Sequence, residues 1–150
     1  MTMTTPDSPE KTTEPAIPAH ERAVCLPTAR LLVGILAVGA GVVAVGWPIA
    51  RFLRPAAADA VWMGGPPAAA VVAIAVLAVQ PWKARPVVRW PMALFGVQGA
   101  STFAVGLVGW VVFREFGPEP IGFAAAMVAG FVGSWVVVAK GVAAALSARA

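Results

Sequence analysis

Residues Leu31 to Ala50 read LLVGILAVGAGVVAVGWPIA, without one charged side chain. Three further stretches share that property: Ala60 to Trp82 (AVWMGGPPAAAVVAIAVLAVQPW), Trp90 to Phe113 (WPMALFGVQGASTFAVGLVGWVVF) and Pro120 to Ala139 (PIGFAAAMVAGFVGSWVVVA). Together they hold 87 of the 150 residues, and all 18 charges lie in the other 63. An uncharged apolar run of about 18 residues reads as a membrane span, because about 20 residues at 1.5 Å each cross a hydrocarbon core of about 30 Å. The chain is therefore expected to be an all-α, four-helix transmembrane bundle, with spans at about 31–50, 60–82, 90–113 and 120–142 inside a domain of residues 30–150.

A soluble protein with buried core helices would also show apolar runs, but composition opposes it. Charged residues make up 12% of the chain, against about 25% in a soluble domain, and the mean hydropathy is +0.82. None of the four runs has the polar outer face that a water-exposed helix needs. The period-two alternation of a lipid-facing barrel strand is missing too.

The tryptophans mark the edges of the spans. Trp47, Trp62, Trp82, Trp90, Trp110 and Trp135 each lie within five residues of a bounding charge, where an amphipathic indole sits at headgroup level. Trp135 lies deepest, so Trp47, Trp62, Trp82, Trp90 and Trp110 are the expected interface anchors, with Lys140 snorkelling from the last turn of the fourth span. Orientation follows from Lys and Arg. Lys11, Arg22, Arg30, Lys83, Arg85, Arg89, Lys140 and Arg149 fall on one side, and Arg51, Arg54 and Arg114 on the other. That bias places both termini and the second loop in the cytoplasm. The outer side balances its bases with Asp59, Glu115 and Glu119. The net charge of +4 then describes contact with anionic lipid rather than a nucleic-acid surface, and no nucleic-acid partner is expected.

Residues 1–29 carry five prolines and four acids against two bases, a composition that neither buries a core nor resembles a signal peptide. They are expected to form a disordered cytoplasmic tail. Cys25, the only cysteine, excludes an internal disulfide. It reads as an inert thiol, with a reversible acyl anchor as the alternative. Arg51 and Arg54 read either as a stop to translocation or as a small anion patch. Most prolines lie at span ends, but Gly64-Gly65-Pro66-Pro67 falls near the outer end of the second run. Either the second helix starts at Pro66, leaving Pro55 to Gly65 as an outer loop, or it starts near Ala57 and is broken inside the membrane, as in transporters.

The spans use Ala, Val and Gly more than Leu, as helices do when their backbones approach closely. On the fourth, Gly122, Ala126, Gly130, Gly133, Ser134 and Gly141 fall within a stripe of roughly 120°. On the third, Gly99, Thr102, Gly106 and Gly109 fall within roughly 80°, with Gln98 at the edge. A loop from Arg114 to Glu119 makes these two helices expected antiparallel neighbours. Their depths match well enough for Gln98 to bond Ser134 or the carbonyl of Gly130. The first span carries weaker pairs, Ala37/Gly41, Gly34/Gly41 and Gly39/Gly46.

No Asp, Glu, His, Lys or Arg lies inside a span, although proton relays and ion coordination rely on such groups. His20 is the sole histidine and sits in the tail, so axial haem ligation and a metal cluster have no ligands. No catalytic nucleophile has a base beside it. Neither enzymatic activity nor a cofactor or metal is expected.

Four short spans with both ends inside, a basic loop after the second, Arg89 leading into the third, and a Gly/Ala-rich last helix ending in Lys140 resemble ATP synthase protein I. The resemblance covers Leu31 to about Leu146. It implies a small bacterial membrane protein linked to assembly of the rotary ATP synthase's membrane ring, with magnesium uptake also proposed for that family. It carries over no residue role. The expected partners are the lipid bilayer and a membrane protein or further copies of this chain. The expected function is a non-enzymatic accessory or assembly role, and the alternative is a small oligomeric pore or transporter.

Overall fold

The computed structural model describes residues 23–148, and of the tail expected over residues 1–29 the first 22 lie outside them. Four helices dominate: α1 (Thr28–Leu53), α2 (Pro55–Ala78), α3 (Arg89–Phe116) and α4 (Pro120–Ser147), and each is long and apolar enough to cross a membrane. Two short strands, β1 (Ala23–Val24) and β2 (Arg85–Pro86), pair antiparallel before α1 and between α2 and α3. Residues 23–29 are thus built into the fold rather than part of a disordered tail. Both described ends and the α2–α3 loop share one end of the bundle, here called proximal. The α1–α2 junction and the α3–α4 turn form the distal end.

The helix boundaries follow from backbone chemistry. Arg54 precedes a proline, which disfavours helical dihedrals, and it adopts φ −152°. One extended residue therefore separates α1 from α2. Pro55 then opens α2 at a position where its missing N–H costs nothing. The sequence from Pro55 to Gly65 is helical, and α2 runs unbroken through Gly64-Gly65-Pro66-Pro67. This corrects both readings of that segment: the helix neither starts at Pro66 nor breaks in the membrane. At the other turn α3 extends to Phe116 and ends on Gly117, whose φ of +55° is the left-handed cap that glycine adopts without a Cβ clash. Glu119 caps α4 by accepting a 2.5 Å hydrogen bond from the Gly122 N–H and pairs with Arg54 at 2.9 Å, tying the two distal connections together.

Helices α1, α2 and α4 pack against one another, and α3 lies against α2. Sequence proximity makes α3 and α4 expected neighbours, but their backbones seldom approach. Near the distal end the Phe113 and Phe123 rings lie 6.3 Å apart. Most of the buried apolar core is proximal, where Leu31 and Ile35 of α1, Val72 and Val76 of α2, Trp90 of α3 and Val138 of α4 come together.

The α2–α4 contact is the closest. A Cβ added at Gly130 would stand 2.6 Å from the carbonyl oxygen of Gly65, and one at Gly64 would stand 2.6 Å from the carbonyl oxygen of Phe123. Because neither neighbour is a movable side chain, Gly130→Leu should force the helices apart. A loss of about 1–3 kcal/mol or more is expected in detergent unfolding. Val128 is 57% exposed, and Val128→Leu should change stability by less than about 0.5 kcal/mol. Equal effects would contradict this packing.

Candidate functional site

With no charge in the membrane, the candidate functional features are helix faces, and the structure sorts the two glycine stripes differently. On α4 the stripe is used internally. A Cβ at Gly122 would stand 2.8 Å from that of Ala57, Gly130 faces the backbone of Gly65, and Ala126 lies 3.2 Å from the Cβ position of Gly64. A Cβ at Gly133 would stand 2.8 Å from Val38, and Gly141 faces Leu31, both on α1. Ser134 is fully buried, but its hydroxyl donates to the Gly130 carbonyl of its own helix at 2.6 Å.

The α3 stripe faces elsewhere. Gly99 and Gly106 have nothing within 4 Å of a Cβ position, and Gln98 and Thr102 are exposed. The Gln98–Ser134 bond is therefore absent, correcting that expectation. The hydroxyls of Ser101 and Thr102 both donate to the Gln98 carbonyl, at 3.0 and 2.8 Å. Only Gly109 of the expected α3 set is buried, against the Met127 sulfur. The face of α3 that packs inward is Ser101, Val105 and Gly109, at four-residue spacing. That row was available in the sequence and was passed over in favour of the glycines. The reason for the rearrangement lies in side-chain volume. Phe131 and Trp135 of α4 pack on the same core cluster as Leu94 and Val97 of α3, so bulky groups stand where a close α3–α4 approach would be needed. The Trp135 Nε1 is buried there without a hydrogen-bond partner among the described residues.

The open side of α3 is a continuous apolar surface. Met92, Phe95, Phe103 and Trp110 are 78%, 74%, 77% and 57% exposed, and they flank Gly99 and Gly106. Large side chains bordering a glycine groove are what a second transmembrane helix packs into.

The expected interface anchors divide in the same way. Trp47, Trp62, Trp82 and Trp110 are exposed, as is Lys140. The Arg114 guanidinium lies 5.4 Å from the Trp110 ring. Trp90 differs: it is fully buried, and its Nε1 donates to the Val24 carbonyl at 3.0 Å. The Arg85 guanidinium lies over its ring at 5.4 Å and donates to the Val79 carbonyl at 2.7 Å. The Leu26 N–H donates to the Pro81 carbonyl at 2.9 Å. These bonds clamp residues 23–27 onto the α2–α3 loop, a junction that the sequence reading missed. Cys25 is exposed beside it.

Trp90→Phe keeps the ring but leaves the buried Val24 carbonyl without its donor. A loss of about 1–3 kcal/mol is expected, together with faster hydrogen exchange at the Leu26 amide. Trp82, at 53% exposure, should tolerate the same change. Unaltered exchange in Trp90→Phe would refute the clamp.

No family model, curated protein or solved structure matches the chain.

Proposed function

We propose that this chain is a non-enzymatic accessory or assembly protein of a larger membrane complex and that it docks through the open side of α3. The observation that supports this reading is the contrast between the two stripes. The α4 glycines are filled by α2 and α1, whereas Gly99 and Gly106 remain open between exposed aromatic side chains. Lipid supplies no hydrophobic drive for helix association, and small residues such as these let a second helix backbone approach closely enough for dense van der Waals contact. The layout shared with ATP synthase protein I makes the rotary ATP synthase the first complex to examine, in a bacterial inner membrane.

Charge supports an orientation with the proximal end in the cytoplasm. Among the described residues that end carries Arg30, Lys83, Arg85, Arg89 and Lys140 and no acid, while the distal end sets Asp59, Glu115 and Glu119 against its three arginines. A pore or transporter reading rested on a break at Gly64 to Pro67, and the continuity of α2 removes that support.

The test is copurification in mild detergent, comparing the native chain with Gly99→Leu/Gly106→Leu. The variant should melt with the native protein, since both positions face open space, yet its recovery of ATP synthase membrane subunits should fall by about tenfold or more. A defined homo-oligomer that carries ion flux in liposomes would overturn the proposal.

A further inference from the structure

At the proximal end α1 and α4 meet where Leu31 packs against Gly141. The helices are antiparallel, so Arg30 lies one residue to the headgroup side of this contact and Lys140 one residue to its inner side, about 3 Å apart in depth. On the headgroup side of the contact lies an open groove of about 400 Å³, walled by Leu26, Pro27 and Arg30 and, across from them, by Gly141, Ala144 and Ala145. Arg30 is its charged wall residue, and Lys140 immediately precedes the wall residue Gly141 in sequence.

Among the described residues the charges around this groove have one sign. Arg30 and Lys140 are both exposed, and neither forms an ion pair among the described residues. No described acid lies at this end, where Lys83, Arg85 and Arg89 add further positive charge. Two cations at headgroup depth, over small apolar walls, complement a phosphodiester that carries acyl chains. A basic pocket between transmembrane helices is a recognised setting for an anionic headgroup. A zwitterionic headgroup fits less well, because it brings its own cation toward two others.

We propose that this groove binds one anionic phospholipid, with its phosphate between Arg30 and Lys140 and its acyl chains running down the lipid-facing side of the α1–α4 seam. The site is separate from the open side of α3 and does not depend on what docks there.

The experiment is native mass spectrometry of the full chain in detergent, titrated with phosphatidylglycerol or phosphatidylcholine of identical acyl chains. The native protein should retain one phosphatidylglycerol with a preference of about tenfold, as two juxtaposed bases supply. Arg30→Gln/Lys140→Gln should abolish the preference, while Lys83→Gln/Arg89→Gln and the charge-preserving Arg30→Lys/Lys140→Arg should retain it. Excess inorganic phosphate should leave the lipid bound. Equal retention of the two lipids by the native chain would overturn the site. So would equal loss in the two Gln pairs, which would mean diffuse surface charge, or displacement by phosphate, which would mean a free-anion site.

Discussion

The backbones of α2 and α4 approach so closely that neither Gly64 nor Gly130 has room for a Cβ. In hydrocarbon this matters more than apolar burial, since lipid tails solvate a Leu side chain as well as a protein core does. Helices associate there through dense van der Waals contact, and contact is densest where glycine removes the side chain. The requirement extends along the seam. Ala57 meets Gly122 near the distal end, Gly65 meets Gly130 deeper in the membrane, and Gly65 also makes room for Val42 of α1. Helix α2 becomes the centre of the bundle because its small residues serve both neighbours.

This constraint also decides what is left over. Once the α4 stripe is filled, α3 lies chiefly against α2; its inward row is Ser101, Val105 and Gly109, of which Gly109 meets the Met127 side chain of α4. Its own glycines, Gly99 and Gly106, are turned outward. The surface proposed for docking is thus a consequence of how the interior is assembled. The proximal clamp of Val24, Arg85 and Trp90 completes the arrangement by holding the start of α1 on the loop that leads into α3.

Much of the fold was legible from charge alone. Hydrocarbon excludes unpaired ions, so the charge-free runs give the helices, and the α4 row from Gly122 to Ser134 is visible as a close-packing surface. Its mate was not legible. A short connection between α3 and α4 argues that they run side by side, but it says nothing about which faces are small enough to touch. With Pro66 and Pro67 following them, Gly64 and Gly65 read either as the end of an outer loop or as part of a helix break. Their close-contact role depends on partners far along the chain, Phe123 for Gly64 and Gly130 for Gly65. Trp90 was misjudged for a related reason: proximity to a charge gives depth in the membrane, not the direction in which a side chain points. The β1–β2 pairing spans only two residues on each side, too few for any periodicity to reveal.

The most direct measurement is disulfide trapping in membranes on a Cys25→Ser background, comparing Ala57→Cys/Gly122→Cys with Gln98→Cys/Ser134→Cys. The first pair joins α2 to α4 where a Cβ at Gly122 would stand 2.8 Å from that of Ala57, within reach of a disulfide once the helix ends relax. The second joins α3 to α4 where the structure leaves Gln98 facing outward. Rapid bridging of the first pair alone is the expected result. Bridging of the second pair without the first would contradict the central role of the α2–α4 seam.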